Sequence, residues 1–243
     1  MRKFGLIGLT LTHYFSKQFF TEKFEKEQIT DCLYENYPLE KIEDLPALLA
    51  ANRDIVGLNV TIPYKKDVVP FLTDAAPAVK KTGACNCIRI DGKKRIGYNT
   101  DVIGFHLSLM PHLRVQHQRA LILGTGGASA AVEFVLQQIA MPYLIVSRNP
   151  GTNSIGYDQL SEDLMESHTL IVNTTPLGTF PAVETYPPIP YQYVTDQHFL
   201  YDMVYNPTET IFLKQGREKG ATILNGMDML IGQANASWDI WKS

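Results

Sequence analysis

A glycine-rich turn near the middle of the chain has the composition of a phosphate-binding site. An apolar strand pattern at 119–123 leads into Gly124-Thr125-Gly126-Gly127-Ala128-Ser129, and a helical pattern follows at 130–139. Gly124 would permit the tight turn, Gly126 would let a pyrophosphate approach the backbone, and the small Ser129 would take the place of a third glycine. The N–H groups at the start of the helix favour phosphate. The spacing therefore predicts a dinucleotide site; the alternative is a tight strand–helix turn that binds nothing.

The end of the next predicted strand bears on which dinucleotide would bind. Ser147 and Arg148 follow an apolar run at 143–146. An NAD site commonly places a carboxylate here for the ribose diol, whereas a guanidinium suits the adenosine 2′-phosphate of NADP. NADP is therefore preferred over NAD. A solvated loop cation is the alternative for Arg148, and 149–153 contains no second basic residue.

A second group of polar residues lies at the ends of other predicted strands. Asn59 and Thr61 alternate along one strand, so they would share a face, and Lys65 follows them. Asn86 opens another strand, and Asp101 follows the hairpin that an Asp-Gly turn at 91–92 predicts. Taken singly, Lys65 could be a surface charge, Asn86 a turn residue and Asp101 the N-cap of a helix beginning at residue 102.

The elements that would position these residues alternate between two types. Short β-rich runs separated by amphipathic stretches predict an α/β fold with βαβ units and a mostly parallel sheet. Strands are predicted at 3–7, 31–37, 56–62, 86–90, 95–98, 120–123, 143–146, 169–172, 199–204 and 222–224, and helices at 16–26, 42–51, 102–110, 129–140, 208–216 and 227–241. Residues 149–156 and 176–190 are predicted loops, and Gly220 a left-handed helix C-cap.

Composition excludes several classes of protein. The 243 residues carry 22 Lys and Arg against 25 Asp and Glu, a net charge of −3, which gives no electrostatic reason to expect nucleic acid or an anionic membrane as partner. No stretch is long and apolar enough to span a bilayer, and the N-terminus is better explained by a strand than by a signal peptide. We expect a soluble protein.

The three cysteines are too few for a disulfide framework. Cys85 and Cys87 are expected to share one face of a strand as small buried hydrophobes, and Cys32 stands apart. No cluster at zinc spacing accompanies them, so no metal site is expected. This cysteine usage is consistent with a cytoplasmic location.

Together these segments resemble shikimate dehydrogenase, along the chain from Gly5 to the last helix. The matching segments are the Gly-Leu-Ile-Gly start with His13 and Ser16, 59–65, 86, 99–101, 124–129, 147–148, 173–178, 201–205, 226–230 and 233–234. The resemblance implies NADPH-dependent reduction of 3-dehydroshikimate to shikimate, in the biosynthesis of aromatic amino acids. It also implies two domains with a cleft between them. Residues 1–101, completed by a C-terminal helix at 227–243, would form an α/β substrate domain, and 102–226 a Rossmann-like NADP-binding domain.

The resemblance also implies roles for individual residues. Lys65 and Asp101 would form the catalytic pair, which suits the negative charge that develops on the ketone oxygen during hydride addition. The residues expected to contact the substrate are Tyr14, Ser16, Asn59, Thr61, Lys65, Asn86, Asp101, Tyr205 and Gln233. The residues expected to bind NADP(H) are Gly124, Gly126, Gly127, Ala128, Ser129, Ser147, Arg148, Thr174, Met203 and Gly226.

Two departures from the family pattern leave alternatives open. Tyr14 stands where a serine usually helps to bind the substrate carboxylate, and Arg148 lacks a basic neighbour. A relative that oxidises quinate as well, with NAD, is therefore the nearest alternative. A dinucleotide-binding regulator without turnover is a more distant one, and monomer and homodimer both remain open.

Overall fold

The computed structural model describes residues 1–11 and 15–243 and contains a six-stranded sheet in each of two compact units. The first unit comprises Met1–Thr100 and Ala234–Ser243, and the second comprises Asp101–Gln233. In the described residues the strands are Arg2–Gly8 (β1), Cys32–Pro38 (β2), Ile55–Val60 (β3), Asp74–Ala75 (β4), Cys87–Asp91 (β5), Lys94–Tyr98 (β6), Ala120–Leu123 (β7), Tyr143–Val146 (β8), Ser154–Ile155 (β9), Leu170–Asn173 (β10), Phe199–Asp202 (β11) and Thr222–Leu224 (β12). The α-helices there are Phe15–Lys26 (α1), Leu45–Ala51 (α2), Pro77–Thr82 (α3), Thr100–Leu109 (α4), Gly127–Gln138 (α5), Glu162–Ser167 (α6), Ile211–Glu218 (α7) and Met227–Lys242 (α8).

The sheet of the first unit is mixed, with the order β2-β1-β3-β5-β6-β4. β1 pairs in parallel with β2 and β3, whereas β5 is antiparallel to both β3 and β6. The hairpin between β5 and β6 turns at Gly92, whose φ of 57° confirms the predicted turn. In the described residues, three of the five strand pairs of this sheet are parallel, which agrees with the predicted mostly parallel sheet, and the hairpin strand β5 makes the two antiparallel pairs.

Alternate residues of β1 face two different hydrophobic cores. Phe4 lies with Phe20, Trp238 and Trp241 on one side, while Ile7 lies in the core on the other side. Such alternation is what the pleat of a strand covered on both faces requires. We refer to the core that contains Phe4, Phe20, Trp238 and Trp241 as the aromatic core. The end of α8 closes it, since the rings of Phe4 and Trp241 stack at 4.9 Å.

The second unit has an all-parallel sheet of order β12-β11-β10-β7-β8-β9. Its central strands β7 and β10 are fully buried, as strands covered on both faces must be. Beginning at β7, the chain adds strands first on one side and then on the other, which is the order of a dinucleotide-binding fold. The order reverses between β7 and β10, where such folds bind their ligands.

Several local predictions are confirmed and others are corrected. Gly220 has a φ of 83° just after α7, as predicted, and 176–190 is a loop. The short β9 interrupts the loop predicted at 149–156, and α3 and α6 were not predicted. Helix α4 begins at Thr100, so Asp101 lies in its first turn and is not the N-cap.

The expectation for the two neighbouring cysteines is also wrong. β5 begins at Cys87, so Cys85 precedes the strand and does not follow its two-residue period. Cys85 joins the core that contains Ile7, whereas Cys87 joins the aromatic core. Both side chains are fully buried, as expected, and all three cysteines are free thiols.

The division between the two compact units falls inside α8. Residues 227–233 belong to the second unit and 234–243 to the first. Gly104 of α4 lies directly against Met229 and Gln233, which keeps the first half of α8 on the second unit. No helix in the described ranges 1–11 and 15–243 is long and apolar enough to cross a bilayer.

Candidate active site

The glycine-rich turn connects β7 to α5 at the point where the strand order reverses. Gly124 has a φ of 109°, which favours glycine, and its N–H donates to the carbonyl of Val146 at 2.8 Å. A methyl group added at Gly126 or Gly127 would meet no atom within 4 Å. The first turn of α5 carries no acidic side chain. The turn therefore presents an open surface of N–H groups, and these residues fit a pyrophosphate.

Thr174 and Ser129 pack around this turn. The Thr174 hydroxyl donates to the carbonyl of Leu123 at 2.7 Å and would lie 2.8 Å from a methyl group on Gly124. Ser129 is buried against the sheet and donates to Glu133 of the same helix at 3.3 Å. Ala128, beside it, is partly buried. The structure therefore brings together Gly124, Thr174 and the start of α5.

Ser147 and Arg148 follow β8, which is the neighbour of β7 in the sheet. The Ser147 hydroxyl accepts from the N–H of Asn149 at 3.2 Å and so shapes the loop after the strand. Arg148 is exposed, and its charge lowers the pKa of Tyr157, which burial raises more strongly. An exposed guanidinium at this edge can pair with a phosphate beside the ribose.

Met203 and Gly226 meet at the same edge of the sheet, beyond β11 and β12. A methyl group on Gly226 would overlap the carbonyl oxygen of Met203, and the N–H of Gly226 donates to the carbonyl of Val204 at 3.1 Å. The N–H of Met203 in turn donates to the carbonyl of Asn173 at 3.0 Å. The backbone at Met203 is thereby fixed from two sides.

Asp202, for which the sequence predicted no individual role, organises this edge of the sheet. Its carboxylate accepts hydrogen bonds from the Asn173 amide at 2.9 Å, the Val204 N–H at 3.0 Å and the Thr210 hydroxyl at 2.6 Å. Burial raises the pKa of Asp202 to about 6, although these hydrogen bonds favour its ionised form. A carboxylate ending an otherwise apolar strand, Phe199–Asp202, was the sequence signal that could have identified it.

In the first unit, a buried hydrogen-bond network connects several residues predicted to bind substrate. Ser16 hydrogen-bonds to the Tyr34 hydroxyl, which donates to Asn59 Oδ1 at 2.9 Å. Asn59 Nδ2 donates to the Ser237 hydroxyl at 2.9 Å and to the carbonyl of Asn86 at 3.2 Å. Burial raises the pKa of Tyr34, so its hydroxyl stays a neutral donor.

The network continues from Ser237 to the start of α4. The hydroxyls of Ser237 and Thr100 lie 3.2 Å apart, and Asn86 Oδ1 accepts from the Thr100 N–H at 2.6 Å and the Thr100 hydroxyl at 3.2 Å. We refer to Ser16, Tyr34, Asn59, Asn86, Thr100 and Ser237 as the polar core. Ser237, Thr100 and Tyr34 were not predicted as functional residues, because only the tertiary fold brings them together.

Lys65 and Thr61 lie beside the polar core, after β3. Both side chains are partly buried, and the N–H of Cys85, next to Asn86, donates to the carbonyl of Lys65 at 2.7 Å. The N–H of Thr61 donates to the carbonyl of Ile7 at 2.9 Å. The structure therefore places Lys65 close in the backbone to Asn86, within one unit.

The other predicted substrate residues are distributed differently. Asp101 and Gln233 both belong to the second unit and are partly buried, as is Tyr205 after β11. Gln233 Nε2 donates to the carbonyl of Leu230 at 3.1 Å. Tyr14 and His13 lie outside the described residues. Within those residues, no cluster of His, Cys, Asp or Glu could hold a metal ion.

Comparison with known proteins gives a consistent match. Residues 6–88 match the family model described as the shikimate dehydrogenase substrate binding domain. The shikimate dehydrogenase (NADP(+)) of Carboxydothermus hydrogenoformans is 36% identical over 98% of this chain and 90% of its own length.

Solved structures agree in fold. Shikimate 5-dehydrogenase from Thermus thermophilus, in complex with NADP(H) and shikimate, is 26% identical over 99% of this chain and 93% of its own, with a TM-score of 0.87. Quinate dehydrogenase from Corynebacterium glutamicum, in complex with NAD, is 25% identical over the same shares of the two chains, also with a TM-score of 0.87.

Proposed function

Because the chain belongs to the shikimate dehydrogenase family, we propose that it catalyses the reversible, NADP(H)-dependent reduction of 3-dehydroshikimate to shikimate, a step of aromatic amino acid biosynthesis. The observation that carries this proposal is the 36% identity to an NADP-dependent enzyme along 98% of the chain. The matched 98% of the chain spans both the glycine turn and the polar core.

We assign cofactor binding to the second unit. The open turn at Gly126 and Gly127 would hold the pyrophosphate, and Arg148 would pair with the 2′-phosphate. Met203 and Gly226, whose backbones are in contact, would border the nicotinamide end. Bound NADPH supplies a hydride to the carbonyl carbon of the substrate.

The residues that we assign to substrate binding are Thr61, Lys65, Asn86, Asp101, Tyr205 and Gln233. Hydroxyl and amide groups suit a polyhydroxylated ring because each offers a directional hydrogen bond. Ser16 and Asn59 act through the polar core, because their polar groups already bond to Tyr34, Ser237 and Asn86.

Lys65 and Asp101 would carry the proton chemistry. Reduction places a hydride on the carbonyl carbon, so the carbonyl oxygen must receive a proton as negative charge develops on it. The Lys65 ammonium would stabilise that oxygen and donate, while Asp101 would bind a neighbouring hydroxyl and keep the ammonium oriented. Asp101 stands in the first turn of α4, where the helix dipole favours a carboxylate.

Quinate oxidation with NAD is the second candidate. Two observations favour it: the fold matches an NAD-bound quinate dehydrogenase with a TM-score of 0.87, and Arg148 has no basic neighbour in 149–153. The cysteines are free thiols, which suits a reducing cytoplasm for either activity.

The test is absorbance at 340 nm during oxidation of shikimate or quinate, each with NADP⁺ and with NAD⁺. We expect rapid reduction of NADP⁺ by shikimate and a much slower reaction for the other pairs. Faster turnover of quinate with NAD⁺ would favour the second candidate. Absence of turnover with all four pairs, in protein that still binds NADPH, would favour a regulator.

A further inference from the structure

Helices α4 and α8 approach each other unusually closely at two glycines. A methyl group on Gly104 would overlap the carbonyl oxygen of Met229 and lie 2.9 Å from the N atom and 3.1 Å from the Cβ of Gln233. A methyl group on Gly232 would lie 3.2 Å from the Cα of Gly104. Glycine inside a helix costs about 1 kcal/mol relative to alanine, so its presence in both helices calls for a reason.

Helix α4 cannot easily yield at this contact, because it is fixed to the sheet of the second unit. The Ser108 hydroxyl donates to the carbonyl of Gly104 at 2.9 Å and lies 2.6 Å from the Tyr201 hydroxyl. The buried ring of Phe105 packs edge-on against Tyr201 at 5.0 Å. A side chain at position 104 would therefore displace α8 rather than α4.

The same two helices carry two of the residues assigned to substrate binding. Asp101 precedes Gly104 by three residues, so both lie on one side of α4. Gln233 supplies part of the surface that touches Gly104. The separation of α4 and α8 at this crossing thus determines how far Asp101 stands from Gln233.

We propose that Gly104 is a positioning residue for the substrate: by lacking a side chain, it lets the α8 backbone at Met229 and Gln233 approach α4 closely enough for Asp101 and Gln233 to bind one small ring together. This inference rests on the proposed function, since it needs the substrate contacts of those two residues. A methyl group at position 104 would push the α8 backbone outwards by about 1 Å. A displacement of that size typically lowers the efficiency of a positioned reaction up to a hundredfold.

The test compares three glycine-to-alanine variants of the full chain, all in the second unit. Gly104→Ala should lower kcat/KM for shikimate by about 10- to 100-fold, whereas the Kd of NADPH, measured by fluorescence, should stay within about twofold. Gly232→Ala requires a shift of only a few tenths of an ångström, so its loss should be smaller, about two- to fivefold. Gly216→Ala, in α7, is the control: its methyl group would meet the side chain of Leu200 and not α8.

A loss in shikimate kcat/KM that follows the order Gly104, Gly232, Gly216, with unchanged NADPH affinity, supports the proposal. A folded Gly104→Ala variant with unchanged kcat/KM overturns it, and so does an equal loss of shikimate and NADPH binding, which would indicate a general structural role. If Gly104→Ala does not fold, Gly232→Ala decides by the same criteria. Wild-type protein that fails to oxidise shikimate would overturn the proposed function itself, and this inference with it.

Discussion

The polar core of the first unit and the glycine turn of the second differ in what their polar groups do. In the polar core, the Asn59 amide is 5% exposed and bonded to three protein groups. At the glycine turn, nothing lies within 4 Å of a methyl group placed at Gly126 or Gly127. One region is closed by its own hydrogen bonds, and the other leaves open space beside its backbone.

This difference separates two ways of building a site. Removing a group from the closed region should first lower the free energy of unfolding, because its buried partners lose hydrogen bonds. Loss of a group from the open region should first weaken ligand binding. Lys65 lies beside the closed region but is only partly buried, so we expect its loss to affect turnover more than stability.

The largest effect is expected at Lys65. Lys65→Ala should lower kcat by about 10²- to 10⁴-fold, because the developing oxyanion loses its proton donor. The melting temperature should remain within a few degrees of the wild type. Steady-state rates and calorimetry test both statements. Lys66→Ala, at the exposed neighbouring residue, is the matched control and should retain normal turnover.

Asn59→Ala, in contrast, should mainly lower the stability of the protein. It removes one hydrogen bond each from the buried Tyr34 hydroxyl, the Ser237 hydroxyl and the Asn86 carbonyl, so we expect a loss of about 3 kcal/mol in the free energy of unfolding. Urea unfolding measures it. Asn52→Ala, which removes one partly buried bond to Leu48, should cost about 1 kcal/mol or less. Equal losses for the two variants would contradict the idea of a closed polar core.

Asp202 should make stability depend on pH. Its pKa is about 6 in the folded protein and 3.8 ordinarily, so the native state holds the proton more tightly than the unfolded state does. The stability it contributes is therefore present below about pH 4 and is lost as the pH rises through 6, by up to about 3 kcal/mol.

Asp202→Asn carries no titrating group at this position, so it isolates the effect. The difference in unfolding free energy between wild type and variant should shift by about 2–3 kcal/mol in favour of the variant from pH 4 to pH 7. Chemical denaturation at several pH values measures it. If the unfolding free energies of the two proteins changed equally with pH, Asp202 would not titrate in this range.

The smallest of these effects is expected at Arg148, in the open region. Arg148→Ala should raise KM for NADP⁺ roughly thirtyfold, which corresponds to a charge-assisted hydrogen bond of about 2 kcal/mol, with little change in KM for NAD⁺ or in stability. Arg114→Ala removes another exposed arginine of the same unit and serves as control. A similar increase for both cofactors would show that Arg148 does not discriminate the 2′-phosphate.

The elements were predictable where the local pattern was strong. The ten predicted strands all overlap observed ones, and the Gly124 turn is formed with the positive φ that its glycine indicated. Short elements escaped prediction, because α3 and α6 have six residues each and β4 and β9 have two. Segments of that length show no complete hydrophobic period.

The sequence indicated candidate residues of the site, but not the residues to which they are hydrogen-bonded. The sequence indicated Asn59 and Asn86, whereas their partners Tyr34 and Ser237 are distant in the chain and are brought near only by folding. A long-range contact also explains why Asp101 is not the N-cap of a helix beginning at residue 102, which the sequence had suggested as one alternative. The N–H of Thr100 is taken by Asn86 Oδ1, a long-range bond that is compatible with an earlier helix start.

The composition of the first unit from two separate chain segments has a consequence for synthesis on the ribosome. Phe4 packs at 5.4 Å from Trp238 and 4.9 Å from Trp241, yet residues 101–233 must be translated between the two parts of this core. At about 5–20 residues per second, that interval lasts on the order of ten seconds. During it, the aromatic side chains of the nascent N-terminal segment lack their cover, which makes this segment a natural client for chaperones that bind exposed apolar surface.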